Sequence, residues 1–371
     1  MSSSPAAHAD RLQRACRAVR AAGWEALLLS AGTDLRYLTG YNAHPSERLT
    51  CLVVPAGGAP VLVVPELEAP MAEAAGVTTP LRPWAETEAP FEIVAAHLQA
   101  IGPPGTVGIG NRMWAEHALG LSMATGGRLA LAGQVMSELR MRKDAEEVAA
   151  LRAAGQAIDR VHARMGEWLR PGRTERAVGR DIAGAIVTEG HESAEFTIIG
   201  SGPNGASPHH DLSDRVIETG DLVVVDIGGV NEAGYNSDST RTYVTGGRVP
   251  AEITDFYTVL QAAQEAACRS VRPGITAQDV DTTARRIIED AGYGANFIHR
   301  TGHGIGLDVH EDPYIVSGND IALAAGMAFS IEPGIYLPGR YGARIEDIVI
   351  CTADGVERLN NGSRDLVALD A

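Results

Sequence analysis

Gly220-Asp-Leu-Val-Val-Val-Asp226-Ile-Gly228 and Gly326-Met-Ala-Phe-Ser-Ile-Glu332-Pro-Gly334 follow one pattern: Gly, five residues, a carboxylate, one residue, Gly. In each, an apolar run of strand length ends on an acidic residue, and the Gly after it lets the backbone turn. A bare carboxylate at the end of Leu-Val-Val-Val is expensive to bury unless it is paired or bound to metal. The echo reads as a duplicated half-domain whose two carboxylates meet across a pseudo-twofold.

Strands are expected around these runs at 196–199, 222–227, 240–245, 327–332 and 345–351, with helices at 174–189, 251–270 and 276–291. A longer helix opens at Lys143-Asp-Ala-Glu-Glu, where Asp144 caps it and the acidic first turn suits the helix dipole. It is expected to run to about Leu169, with Pro171-Gly172 stopping it. Residues 139–371 therefore read as an α+β domain, helices covering a curved antiparallel sheet. Residues 1–138 alternate differently: a helix at 9–23, strands at 26–29, 52–54, 61–64 and 107–109, helical stretches at 66–75 and 90–100, and a loop through Thr33, Asp34 and Gly40. That alternation reads as a smaller α/β domain.

Composition narrows the function. The 371 residues carry 31 basic and 47 acidic side chains, a net charge of −16, which argues against nucleic-acid or anionic-membrane partners. The N-terminal stretch is amphipathic and Arg-bearing without an apolar core, so neither a signal peptide nor a membrane anchor is expected. Four scattered cysteines without a CxxC pair form neither a disulfide framework nor a zinc ribbon, and a reducing, cytoplasmic location is expected. Lys143 is the only lysine among the 31 basic residues, which reads as coding composition.

Asp238 follows Asp226 by twelve residues, in Tyr235-Asn-Ser-Asp-Ser-Thr-Arg-Thr-Tyr243 at the start of the next strand. Glu346 lies in Ala343-Arg-Ile-Glu-Asp-Ile-Val-Ile350, and His303 in Thr301-Gly-His-Gly-Ile-Gly306, a stretch that permits close backbone approach. Alone, each has an ordinary reading: a strand-end Asp is a turn residue and a lone His is structural. Together, Asp226, Asp238, His303, Glu332 and Glu346 are the right ligand set for two adjacent divalent ions of the Mn, Co, Fe or Zn kind.

Those five residues, with Gly302-His-Gly-Ile-Gly-Leu-Asp-Val-His-Glu311 and Ser330-Ile-Glu-Pro-Gly-Ile-Tyr336 around them, resemble the signature of the pita-bread metallopeptidases. That family includes methionine aminopeptidase, aminopeptidase P and prolidase, with creatinase as a metal-free relative. Leu35-Arg-Tyr-Leu-Thr-Gly-Tyr41 is similar to the creatinase-type N-terminal domain of the Xaa-Pro-cleaving members. The resemblance implies two divalent ions per subunit, manganese first among the candidates, with cobalt, zinc or iron as others. Asp226 would be the bidentate ligand of one ion, Asp238 and Glu346 the bridging carboxylates, and His303 and Glu332 ligands of the other. A hydroxide bridging the ions would attack the peptide carbonyl, with Glu332 as proton shuttle to the prolyl nitrogen. His209 and His310 resemble the histidines that hydrogen-bond substrate and tetrahedral intermediate. His210, next to His209, would point the other way on an extended strand and stands as the alternative. His299 is a candidate for the proline pocket or an ordinary loop histidine. Tyr336 and Arg344 match positions near the metals, where Arg344 would fix a bridging carboxylate or form a structural ion pair.

The sequence departs from the pattern twice. The interval from Asp226 to Asp238 is one residue longer than usual, an excess the hairpin 228–234 is expected to absorb. Many prolidases place a basic residue just after the His-Glu-x-Pro stretch to meet a dipeptide's carboxylate; here that position is Tyr314, and Arg340 or Arg300 would have to serve. The implied function is hydrolysis of Xaa-Pro bonds at a free N-terminus, as a dipeptidase or an aminopeptidase P, by a homodimer. The other readings are a hydrolase of another small amide or C–N substrate, and a catalytically silent binding module.

Overall fold

A computed structural model describes residues 4–102, 105–247 and 249–369. The chain divides into two compact units, one ending at Arg140 and one beginning at Met141.

The first unit has six strands, β1 (Ala26–Ser30), β2 (Cys51–Pro55), β3 (Val61–Pro65), β4 (Leu81–Trp84), β5 (Thr106–Ile109) and β6 (Arg128–Leu131), in the order β4-β3-β2-β1-β5-β6. β1, β2 and β3 pair antiparallel and the outer strands parallel. Residues expected as a loop form the helix Thr33–Thr39 instead. Thr39 Oγ1 donates to the Leu35 carbonyl at 2.8 Å, and Gly40 ends the helix in the left-handed region at φ +78°. Seven residues are too few to show a helical period.

The second unit is not one curved sheet. Strands β7 (Ser193–Ser201), β8 (Leu222–Val230), β9 (Ser239–Thr245) and the C-terminal β17 (Val367–Leu369) form one sheet, in the order β17-β9-β8-β7. Strands β10 (Gly302–Gly304), β11 (Glu311–Ile315), β12 (Ala328–Ile331), β15 (Asp347–Cys351) and β16 (Val356–Arg358) form another, β11-β10-β12-β15-β16. A hairpin, β13 (Gly334–Leu337) with β14 (Tyr341–Arg344), stands apart. Side chains stitch the sheets: buried Arg241 of β9 donates to the Glu346 carbonyl at 2.6 Å and pairs with Asp347 at 2.8 Å. The Glu346 N–H donates to the Thr240 carbonyl at 3.1 Å.

Val223, Val225 and Ile227 of β8 pack on Ile158, Val161, Ile182 and Ile186 of the helices behind the sheet. Alternation along the strand turns Asp226 to the opposite face. The expected turn at Gly228 does not occur, since β8 runs on to Val230. A Cβ at Gly228 would meet the Phe196 ring and the Ser237 carbonyl at 2.5 Å, so this glycine makes room rather than a bend.

The helix from Lys143 is shorter than expected. It spans Ala145–Ala163 under an Asp144–Glu147 capping box, and a 3₁₀ turn, Met165–Glu167, follows. Gly166 weakens its continuation, and Arg164 is tied to Glu167 and Glu189 at 2.8 and 2.9 Å. Just before this helix the buried Lys143 ammonium bonds Glu311, beside His310. Among the described residues, no helix is long and apolar enough to cross a membrane.

His162, buried on that helix, donates from Nε2 to the Ser239 carbonyl at 3.2 Å and accepts from Tyr243 at 2.9 Å. Burial, aided by nearby Arg241, lowers its pKa from 6.5 to about 3. Below pH 6.5 the unfolded chain takes up a proton that the folded chain refuses until about pH 3, so stability falls as pH falls across that window. The slope from this group is about 1.4 kcal/mol per pH unit. His162→Gln is expected to remove it between about pH 6.5 and 5. Identical slopes for both proteins in denaturant titrations would refute the assignment.

Candidate metal centre

Asp226 sits mid-strand in β8, opposite Thr240 of β9. Asp238 immediately precedes β9, and the chain between the two acids turns back after β8. There Asn231 exchanges backbone and side-chain bonds with Tyr235, and Gly234 adopts φ +88°. His303 is the middle residue of β10, where a Cβ on Gly302 or Gly304 would lie 1.9 Å from the Ser330 carbonyl or 2.2 Å from that of Asp312. Only glycines let this strand come so close. Glu332 follows β12, and Glu346 lies between β14 and β15.

These five side chains line one cavity of about 680 Å³. One ligand atom each from Asp238, His303 and Glu346 lies within 4.8 Å of the others. His303 Nε2 is 3.2 Å from Glu332 and 3.5 Å from Asp238. On its other side His303 Nδ1 is 3.1 Å from the Gly304 carbonyl, which can only accept, so Nδ1 carries the proton. The Nε2 lone pair then faces carboxylate oxygens, an arrangement a cation between them would make favourable.

Two further observations fit that cation. Among the described residues, Asp226 Oδ1 and Glu346 Oε1 are buried without a hydrogen-bond partner. Burial first, and then the neighbouring carboxylates, raises the pKa of Asp226 and raises those of Asp238 and Glu346 well above the ordinary carboxylate range. Hard divalent ions held by oxygen and one imidazole satisfy both the orphaned oxygens and the crowded charge. Glu332 moves the other way: burial opposes ionisation, but the basic groups around it, His303 first and then His299 and Arg344, outweigh it and lower the pKa to about 2.

Arg344 organises the cluster from below. It pairs with Asp226 Oδ2 at 2.6 Å and donates to Thr240 Oγ1 at 3.0 Å, and Thr240 donates in turn to Glu346 at 2.7 Å. Arg344 thus holds Asp226 directly and reaches Glu346 through Thr240, a residue the sequence reading passed over. It also donates to the Tyr336 hydroxyl at 2.8 Å. His299 donates from Nδ1 to the Arg300 carbonyl at 2.7 Å and accepts at Nε2 from Tyr336 at 2.9 Å. Tyr336 therefore serves behind the cavity, while His299 lines it.

His209 and His310 line the same cavity, and the His310 ring lies 4.1 Å from that of His303. Burial, then the neighbouring His303 ring and Arg300 guanidinium, lowers the His310 pKa to about 4 and keeps it neutral at pH 7. His210 turns away to Glu175, whose carboxylate it meets at 2.7 Å. The fully buried Glu175 also accepts from Ser201, Asn204 and Ser213 at 2.5–3.1 Å, pinning the segment that carries His209. Of the two adjacent histidines, the structure brings His209 into the cavity and not His210. The candidate arginines separate as clearly. Arg340 is exposed and bonds Glu252, whereas Arg300 lines the cavity with its guanidinium 4.5 Å from the Tyr314 ring centre.

Residues 149–353 match the model of metallopeptidase family M24, and residues 11–142 that of the creatinase/prolidase N-terminal domain. The probable dipeptidase PepE of Mycobacterium tuberculosis is 51% identical over 365 residues, covering 98% of this chain and 96% of that protein. The Xaa-Pro dipeptidase of Lactobacillus delbrueckii subsp. lactis is 37% identical over 361 residues, covering 94% and 95%. Among solved structures, dipeptidase PepE from Mycobacterium ulcerans superposes with a TM-score of 0.93 at 50% identity, covering all of both chains. Prolidase from Thermococcus sibiricus gives a TM-score of 0.91 at 38% identity, covering 98% of this chain and 99% of that one. Extending across both units, these matches show that the chain belongs to metallopeptidase family M24, with the creatinase/prolidase domain at its N-terminal side.

Proposed function

We propose that the chain is an Xaa-Pro dipeptidase, hydrolysing the bond between an N-terminal residue and a C-terminal proline with two divalent ions. The observation that carries this is the buried cluster of Asp226, Asp238, His303, Glu332 and Glu346 in a cavity also lined by the Arg300 cation, which meets no carboxylate among the described residues. Asp226, Asp238, Glu346, His303 and Glu332 would hold the ions. When bound, the ions would polarise the scissile carbonyl and acidify the attacking water. Four carboxylates to one imidazole favour a hard ion, so manganese is the first choice.

Glu332 enters ionised and can take up the proton of the water. A prolyl nitrogen leaves from a tertiary amide without a hydrogen of its own, so Glu332 must then deliver that proton to it. His209 and His310 offer N–H groups toward the oxygen on which charge develops. Arg300, steadied over Tyr314, meets the free carboxylate of the dipeptide. The relatives named dipeptidase and Xaa-Pro dipeptidase support this reading over an aminopeptidase acting on longer chains. A cytoplasmic location accords with the four free cysteines; a homodimeric state is carried over from the family resemblance.

The test is hydrolysis of Leu-Pro against Leu-Pro-Pro, after EDTA stripping and restoration of Mn, Co or Zn. Metal-dependent cleavage confined to Leu-Pro is expected. Cleavage of Leu-Pro-Pro at a comparable rate would make the chain an aminopeptidase P, and cleavage of neither would overturn the peptidase assignment.

A further inference from the structure

The cavity wall carries one acidic side chain that the metal cluster does not use. Glu195 lines the cavity beside Phe196 and Ile198. It gets there through a backbone irregularity. β7 and β8 pair Ala194 with Gly229 and Phe196 with Gly228, so Glu195 is the extra residue of a β-bulge. A bulge re-aims side chains that strict alternation would send to opposite faces. Here it sets Glu195 on the same wall as Phe196 and Ile198. Among the described residues, its carboxylate meets only the Ser193 hydroxyl, at 3.1 Å, and no basic side chain pairs with it.

The other charges of the cavity have work in the proposed reaction. The four deep carboxylates and His303 form the metal cluster, and Arg300 takes the carboxylate of the substrate. What remains for the first residue's side chain is the apolar stretch of Phe196, Ile198 and Val309, with Glu195 beyond it. Ile198 pairs directly with Asp226. Three residue steps along the strand lead from it to Glu195, roughly 10 Å at the usual rise. A side chain lying along that wall has an apolar stem near the metals and its tip near a carboxylate.

We propose that Glu195 makes the enzyme charge-selective at the first residue, favouring Arg-Pro and Lys-Pro and discriminating against Glu-Pro and Asp-Pro. The aliphatic stem of Arg or Lys covers Phe196, Ile198 and Val309 while the head meets Glu195 at the exposed rim. Met-Pro fills the same wall without the charge. This inference rests on the Xaa-Pro dipeptidase reading.

The test is kcat/KM for Arg-Pro, Met-Pro and Glu-Pro with the metal-loaded wild type, Glu195→Gln and Glu195→Lys. Thermal unfolding confirms that each variant is folded, as expected for an exposed position. Glu195→Gln is expected to lower the Arg-Pro to Met-Pro ratio by about two- to fivefold, the range of a solvent-accessible ion pair. Glu195→Lys should lower it further and raise the Glu-Pro to Met-Pro ratio, and both shifts should shrink in 1 M salt. Ratios unchanged in both variants, with Met-Pro still cleaved, would overturn the assignment to Glu195 and leave the dipeptidase reading standing. A wild type that cleaves none of the three dipeptides would overturn both.

Discussion

Glu332→Gln lowers kcat for Leu-Pro by roughly 10²–10⁴-fold, the usual worth of a positioned proton-transfer group. Glu332 accepts from Ser330 Oγ at 3.0 Å, and that hydroxyl accepts from the His303 N–H, also at 3.0 Å. The amide oxygen of Gln preserves this chain, so His303 stays in place and the fold is kept. What is lost is the ability to take up a proton and return it to the prolyl nitrogen. Kinetics at saturating metal, with metal content determined for each protein, separate this loss from weakened metal binding. A fully loaded variant with kcat within tenfold of the wild type would remove Glu332 from the proton path.

Arg300→Met acts on recognition instead. Methionine keeps an apolar stem against Tyr314, so the wall remains filled. Losing a charge-assisted bond to the dipeptide carboxylate costs about 1.5–3 kcal/mol, roughly a 10- to 150-fold fall in kcat/KM for Leu-Pro. Leu-Pro-amide has no carboxylate to lose and should change far less. Equal losses for both substrates would mean that Arg300 shapes the cavity without reading the carboxylate. Tyr314 would then be simply the residue that stands where the family resemblance leads one to expect a basic side chain.

The candidate metal cluster drew notice in the sequence because its residues are out of place by ordinary rules. A carboxylate closing Leu-Val-Val-Val or Met-Ala-Phe-Ser-Ile has no cheap bland explanation, and His303 stands among glycines that have no helical or turn purpose. The choice between His209 and His210 was not legible. Alternation says only that neighbours diverge, and the partner that decides, Glu175, lies 35 residues before His210. The division into three sheets was hidden for the same reason. It depends on Arg241 meeting Asp347, 106 residues away, and on strands such as β10 and β14, too short to carry a period. Gly228 misled because a sequence shows that a side chain is missing and not which neighbour fills the space, here Phe196. The bulge that brings Glu195 into the cavity leaves no sequence mark.

The buried pairing of Lys143 with Glu311 also fixes how the protein meets amine chemistry. With a single lysine in the whole chain, and that one side chain 1% exposed, acylating reagents find no lysine on the folded surface. Immobilisation, dye labelling or cross-linking through lysine has nothing to grip while the second unit stays closed. The same fact makes Lys143 a clock. Its rate of acylation reports how often the chain opens around the segment that holds His310, a local free energy of opening read at one atom.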